Sequence, residues 1–396
     1  LDLIEKLLDD AINDGVFPGG CYAIWRSPTS ALGSSGNFTY FQGGRSTQGA
    51  MGRFTYEPSS QHVSLNAIWD LASLSKVVAT TTATMILVQE GLIDLDQPVR
   101  EIIPEFGVHQ KDAITLRNLL VHDSGLVAFR QYHLTCLTKE QVMSAIYNEE
   151  LTYETGSQTV YSDLSMILVA EAIERITNQS LDDFVKERIF QPLGMVRTGF
   201  FRQAESNFVG KALRSECGPT ETIEPWRRQL RLERYGPEGS ANLFGKNPRY
   251  IQGEVHDPTA TVLDGVAGHA GLFSTIQDLT RFLTHFMNRE SSIVQPEVWD
   301  LFTKQQNPKS TRGLGWDTKS PEGSSAGTKF GPNSYGHTGY TGTSIWVDPD
   351  ARLFAILLTN RVHPTSENAK LLAFRPKFHD QCWELLNHSG KQNELI

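Results

Sequence analysis

The 396-residue chain is short of cysteine, of excess positive charge and of long apolar runs, and each shortage removes a class of function. Its four cysteines, at 21, 136, 217 and 382, form no C-x-x-C pair, which removes zinc-ribbon and thioredoxin-like readings. Spacing leaves their pairing open. Lys plus Arg total 36 against 45 Asp plus Glu, a formal net charge of −9. No nucleic-acid partner is expected, because binding a phosphate backbone calls for a cationic surface. No apolar run reaches bilayer length, so no membrane span is expected either. Walker A and H-E-x-x-H motifs are both missing, and phosphoryl transfer and zincin chemistry lose their usual markers with them. The histidines at 109, 122, 133, 256, 269 and 337 show no metal-ligand spacing. Most read as capping or hydrogen-bonded core residues. No metal or organic cofactor is implied.

What is present is an ordinary globular composition, 39% hydrophobic and 20% charged, long enough for two or three domains or one two-lobed enzyme. Leu1, Ile4, Leu7, Leu8 and Ile12 recur at helical spacing. Residues 21–25 and 38–41 read as strands joined by a Ser/Gly-rich turn, hence a hairpin. From about 65 to 200 the pattern is helical, with long helices expected over 72–90 and 164–176. Residues 202–260 are polar and rich in Arg, Gly and Pro, and read as a long loop with little regular structure. A helix is expected over 278–287. Strands over 343–347 and 353–359 flank the turn Asp348-Pro349-Asp350, and a last helix runs over 367–386, bent at Pro376. The simplest closure places residues 1–64 and 310–396 in one antiparallel sheet domain. Residues 65–309 then form an inserted, mainly helical lobe, with a ligand cleft between the two.

Ser73-Leu74-Ser75-Lys76 is the only S-x-x-K in the chain. Three residues make nearly one helical turn, so the Ser73 hydroxyl and the Lys76 amine share a face. A serine at a helix start also lies beside free N–H groups that favour a developing oxyanion. Serine becomes a useful nucleophile once a neighbouring base takes its proton, and a lysine of lowered proton affinity can do so. The plain alternative is a helix cap beside a solvated lysine. Tyr161-Ser162-Asp163 precedes the helix from residue 164, where Ser162 or Asp163 could serve only as N-cap. His337-Thr338-Gly339-Tyr340 precedes a strand, in a glycine-rich entry that allows close backbone approach. Gly323-Ser324-Ser325-Ala326-Gly327 matches G-x-S-x-G literally, but its polar flanks lack the strand and helix of a nucleophile elbow. Arg227, Arg228, Arg231 and Arg234 read as a solvated face ahead of an anion-binding rim.

In this order and at these intervals, the three elements around Ser73, Tyr161 and His337 resemble the active-site set of serine β-lactamases and penicillin-binding proteins. The resemblance is best to the class C-like branch, with its class C β-lactamases, D-Ala-D-Ala carboxypeptidases, D-aminopeptidases and family VIII esterases. Trp69-Asp70-Leu71-Ala72, Leu119-Leu120-Val121-His122-Asp123-Ser124-Gly125 and Gly268-His269-Ala270-Gly271 add to it, and it spans about residues 17–362. It implies an α/β (α+β) fold of the β-lactamase/transpeptidase type, an antiparallel sheet flanked by terminal helices plus the helical lobe. Ser73 would be the acylated nucleophile, and Lys76 and Tyr161 would share general-base and general-acid work. The Ser73 and Tyr340 N–H groups would form the oxyanion hole, with His337, Thr338 and Gly339 along the substrate. Asp163 stands where the pattern has Asn and should favour a protonated Lys76, moving the base role toward a Tyr161 phenolate. His337 stands where lactamases carry Lys, which weakens the hold on a substrate carboxylate. The resemblance therefore implies a serine hydrolase of small-molecule or peptide substrates: D-amino-acid peptides, amides or small esters. A non-turnover penicillin sensor and an acyltransferase are the alternatives. The oligomeric state stays open. The chain opens on Leu1 without a basic-plus-apolar leader, so an upstream segment is expected to have been removed. A periplasmic, envelope or secreted location is implied, with the cytoplasm still open.

Overall fold

A strand whose two faces are both apolar belongs in the middle of a covered sheet, and residues 19–26 meet that description. The computed structural model describes residues 2–27, 39–41, 44–202, 214–246 and 248–388. Its ten strands among those residues are β1 (Gly19–Arg26), β2 (Thr39–Phe41), β3 (Gly44–Gly52), β4 (Trp69–Asp70), β5 (Gly199–Phe200), β6 (Leu272–Ser274), β7 (Asp317–Thr318), β8 (Tyr335–Thr338), β9 (Ser344–Asp348) and β10 (Leu353–Thr359). Seven form one antiparallel sheet in the order β2-β3-β1-β10-β9-β8-β7, and β4-β6-β5 form a small second one.

The period-2 alternation of β1 and β10 sorts the core into two sides. Tyr22, Ile24, Leu353, Ala355 and Leu357 pack with the terminal helices Asp2–Asn13 and Lys370–His388. Cys21, Ala23, Trp25, Phe354, Ile356 and Leu358 face the larger cluster, which includes Leu279, Phe282 and Leu283 of the helix Ile276–Met287. The two ends of the chain thus share one sheet, through pairing of β1 with β10. All four cysteines are buried and unpaired.

Two expectations fail. β1 does not pair with β2, the described part of the expected partner; its neighbours are β10 and β3, a strand the pattern does not announce. β3 reads Gly-Arg-Ser-Thr-Gln-Gly-Ala-Met-Gly and offers no alternation of apolar residues. Two of its glycines lie under aromatic rings instead: a Cβ at Gly44 would stand 2.0 Å from the Trp25 ring, and one at Gly49 2.4 Å from the Tyr22 ring. Residues 28–38, which carry most of the expected turn, lie outside the described residues.

The expected loop over 202–260 contains a helix, Pro225–Phe244, broken at Gly236 (φ 66°) before Pro237. Arg227, Leu230, Arg231 and Arg234 fall at i, i+3, i+4 and i+7, one helical face. Arg227 and Arg231 are buried against Glu254, with Arg227 Nη1 3.2 Å from its Oε1. Arg234 donates to the carbonyls of Thr261 and Val262. These three arginines make neither a solvated face nor an anion-binding rim. Charge hides the amphipathic pattern, because the buried side of this helix is satisfied by a carboxylate and carbonyls as well as by hydrocarbon.

Candidate active site

β4 leads into a tight turn in which Ala72 adopts φ 46°, a left-handed conformation that a Cβ disfavours. Two bonds hold it: the Ala72 N–H donates to Asp70 Oδ1 at 2.8 Å, and Ser75 Oγ donates to the Ala72 carbonyl at 2.6 Å. Ser73 follows, partly exposed. The chain then enters a π-helical turn, Lys76–Thr81, before the α-helix Thr82–Gln89. Such turns are frequent at functional sites.

Lys76 is fully buried and uses three N–H donors on three acceptors. These are Ser73 Oγ at 3.0 Å, the His269 carbonyl at 2.9 Å and Asp163 Oδ1 at 2.7 Å. That set suits an ammonium. Burial pulls its proton affinity down, but Asp163 and Tyr161 outweigh burial and leave it raised.

Tyr161 and Asp163 arrive on the N-terminus of the helix Asp163–Thr177, where Ser162 Oγ caps Ser165 N at 3.3 Å. Ser162, not Asp163, is therefore the cap, which frees Asp163 to pair with Lys76. Around the Tyr161 ring lie Lys76 Nζ at 4.9 Å, the Arg312 guanidinium at 5.1 Å and the His122 and His337 rings at 4.8 and 5.7 Å. His122, at φ 61°, accepts the Ser162 N–H on Nδ1 at 3.1 Å and so fixes the turn that aims Tyr161. The buried Tyr161 hydroxyl has no hydrogen-bond partner. Burial raises its proton affinity more than Lys76 and Ser73 lower it. That direction favours the phenol at rest.

His337 is buried on β8. Its Nδ1 donates to the Thr338 carbonyl at 2.9 Å, and its Nε2 is left without a partner. Burial, then Lys76 and Arg312, hold it well below the ordinary imidazole range, so it is neutral. It offers no charge to a substrate carboxylate. Arg312, which the sequence did not single out, is a cation beside this group.

The segment after Thr338 is bound to the Ser73 turn. Thr341 Oγ1 donates to Asp70 O at 2.7 Å and Thr343 Oγ1 to Leu71 O at 3.0 Å. Arg375 donates to the carbonyls of Gly339 and Thr343 at 2.6 and 2.9 Å, and Arg361 to that of Tyr340 at 2.9 Å. A Cβ on Gly339 would lie 2.0 Å from Thr343 Oγ1 and 2.5 Å from Leu71 O, so only glycine allows this approach. Among the described residues, neither the Ser73 nor the Tyr340 N–H donates to a backbone carbonyl. Ser325 takes no part, and its Oγ accepts from Trp346 Nε1 at 3.0 Å.

Ser73, Tyr161, Asp163, Asp257, His269 and Tyr340 line one cavity of about 480 Å³. A larger hollow of about 730 Å³, by Trp299 and Arg352, contains none of the candidate residues. Asp163, Asp257 and His269 each bring a ligand-type atom within 4.8 Å of the others. Of these, Asp163 is paired with Lys76 through Oδ1 at 2.7 Å. The arrangement supplies a serine and a phenol on the cavity wall, a charged amine bonded to that serine, and two backbone N–H groups without a backbone acceptor, a set suited to acyl transfer.

The family model described as Beta-lactamase matches residues 4–376. A protein of Escherichia coli (strain K12), named provisionally as a D-alanyl-D-alanine carboxypeptidase, is 31% identical over 320 residues, covering 75% of this chain and 69% of that one. The N-acetylmuramyl-L-alanine amidase of Bacillus subtilis (strain 168) is 30% identical over 318 residues, covering 75% and 68%. Among solved structures, the octameric penicillin-binding protein homologue from Pyrococcus abyssi superposes with a TM-score of 0.70 at 19% identity, over 99% of this chain and 78% of that one. The fold is thus of the β-lactamase/transpeptidase type. No helix among the described residues is long and apolar enough to cross a membrane.

Proposed function

This chain belongs to the Beta-lactamase family, and on that footing we propose that it is a serine hydrolase whose acyl-enzyme forms on Ser73. The observation that carries the proposal is the 3.0 Å contact between Ser73 Oγ and the buried Lys76 Nζ, beside an unpartnered Tyr161 hydroxyl.

Lys76 and Tyr161 act as one coupled acid–base pair. Asp163 adds a proton-retaining field to both. The reactive form carries one proton fewer than the resting pair. As Ser73 Oγ bonds to the substrate's carbonyl carbon, its proton passes to the pair. The pair then protonates the leaving amine or alcohol as the bond to carbon breaks. In the second half a water bonds to the acyl carbon and gives its proton to the pair, the bond from that carbon to Ser73 Oγ breaks, and the pair returns the proton to Ser73 Oγ. The Ser73 and Tyr340 N–H groups receive the oxyanion in both halves. His122, Asp70 and Gly339 position these groups and do not react.

The neutral His337 leaves the carboxylate anchor of efficient lactamases without its charge. Amides of D-amino-acid peptides and small esters are therefore the substrate class we favour. The names of the two relatives, an amidase and a carboxypeptidase, support a cell-wall type of peptide and an envelope location. Ser73→Ala should lose hydrolysis of a p-nitrophenyl ester by at least ~10³-fold while keeping the wild-type unfolding curve. Full activity in that variant ends the proposal.

A further inference from the structure

Arg375, on the C-terminal helix Lys370–His388, is a buried cation without a counter-ion. It is 6% exposed, and no carboxylate among the described residues pairs with it. Burial, then the neighbouring Arg361, draws its pKa down to about 9, so it is charged at neutral pH. Buried charge is costly and is normally matched by an opposite one.

Its hydrogen bonds go to two carbonyls of one turn. Nη2 donates to Gly339 O at 2.6 Å and to Thr343 O at 2.9 Å, and Nε has no partner. Neither carbonyl depends on it. The Gly342 N–H already reaches Gly339 O at 3.2 Å, and the Gly339 N–H reaches Thr343 O at 2.8 Å. Closing the turn therefore does not call for a guanidinium.

The bonded carbonyl gives the charge a use. Gly339 C=O and Tyr340 N–H are the two ends of one planar amide. A charged donor on the oxygen polarises that amide and makes its N–H a stronger donor. The Tyr340 N–H has no backbone acceptor, and Tyr340 lines the same cavity as Ser73.

We propose that Arg375 is a positioning residue of the acyl-transfer site, which aligns and polarises the Gly339–Tyr340 amide so that its N–H holds the oxyanion more strongly. The inference rests on Ser73 being the acylated serine. It adds a residue that does not itself line the cavity, and it explains why a buried charge is left unmatched there.

The test compares Arg375→Gln, which can keep a donor without the charge, with Arg375→Lys, which keeps the charge without the planar fork. One readout is hydrolysis of a neutral p-nitrophenyl ester. The other is inhibition by phenylboronic acid. Ser73 Oγ bonds to boron as a fourth ligand and the serine proton passes to the Lys76–Tyr161 pair, so the adduct is an anionic tetrahedron. In Arg375→Gln both kcat and boronate affinity should fall about tenfold, less than the ~10²–10³ of removing an oxyanion donor outright. Both halves of the reaction use the oxyanion donors, so KM for the ester should hold. Arg375→Lys should recover most of both losses. The unfolding midpoint of Arg375→Gln should equal or exceed that of the wild type, because a buried charge has been removed.

Wild-type kcat and boronate affinity in Arg375→Gln overturn the inference and leave the Ser73 reading standing. So does an Arg375→Lys variant as impaired as Arg375→Gln, since the loss then belongs to the shape of the fork. Loss of folding in Arg375→Gln makes the guanidinium a structural brace and overturns the inference as well. Neither turnover nor a boronate adduct in the wild type overturns the Ser73 reading and this inference with it.

Discussion

The Asp163 carboxylate lies 2.7 Å from the Lys76 ammonium, at the position where the resembling motif carries an amide. Without that charge, burial would dominate and Lys76 would lose its proton more readily. Tyr161 would follow in the same direction, because Asp163 raises its proton affinity too. In Asp163→Asn the ascending limb of the kcat/KM–pH profile for a neutral ester should therefore move to lower pH, by about 1–3 units. A limb that stays where it is in the wild type separates Asp163 from the titration.

His337 is held neutral, well below its ordinary range. A group with depressed affinity carries no charge to lose as pH rises through about 6.5. The ratio of kcat/KM for an anionic ester to that for its neutral analogue should be flat from about pH 5.5 to 7.5. A ratio that falls with rising pH across that window makes His337 a cationic substrate ligand after all.

Gly339 is pressed against Leu71 O and Thr343 Oγ1. Gly339→Ala should push the Tyr340 N–H away from Ser73, and a displacement of about 1 Å costs roughly 10²-fold in rate. The measurement is kcat on a neutral ester alongside thermal unfolding. An unchanged kcat removes this contact from the site's geometry.

Glu254 is fully buried between Arg227 and Arg231. Glu254→Ala removes the carboxylate that two buried guanidinium groups share and should cost about 3–5 kcal/mol in denaturant unfolding at neutral pH. The carboxyl is held below its ordinary range. Its contribution is thus complete above about pH 4.3 and fades as pH falls through the depressed value. The gap between wild type and variant should narrow on acidification, and an equal gap at all pH values contradicts this pairing.

Residues with strong periodicity were legible in advance. The two faces of β10 and the helix Ile276–Met287 show it in the sequence, because each buries a regular apolar pattern. The Ser73–Lys76 spacing likewise announced a shared face. β3 was not legible, since its place depends on glycines fitting under Trp25 and Tyr22, aromatics of another strand. The helix Pro225–Phe244 was obscured by arginines whose burial requires a carboxylate further along the chain, Glu254. Its 227, 230, 231, 234 spacing was nevertheless a readable signal. Charge states could not be read. Whether Tyr161 is phenol or phenolate, and whether His337 is charged, depends on burial that only the fold creates.

The account stands on an ester bond to the Ser73 oxygen. Brief reaction with an activated acyl ester, acid quench and peptide mass mapping should find one acyl increment, on the peptide that holds Ser73. That increment should be absent from Ser73→Ala and should disappear from the wild type as hydrolysis completes. An increment on any other side chain, or the same increment and turnover in Ser73→Ala, contradicts it.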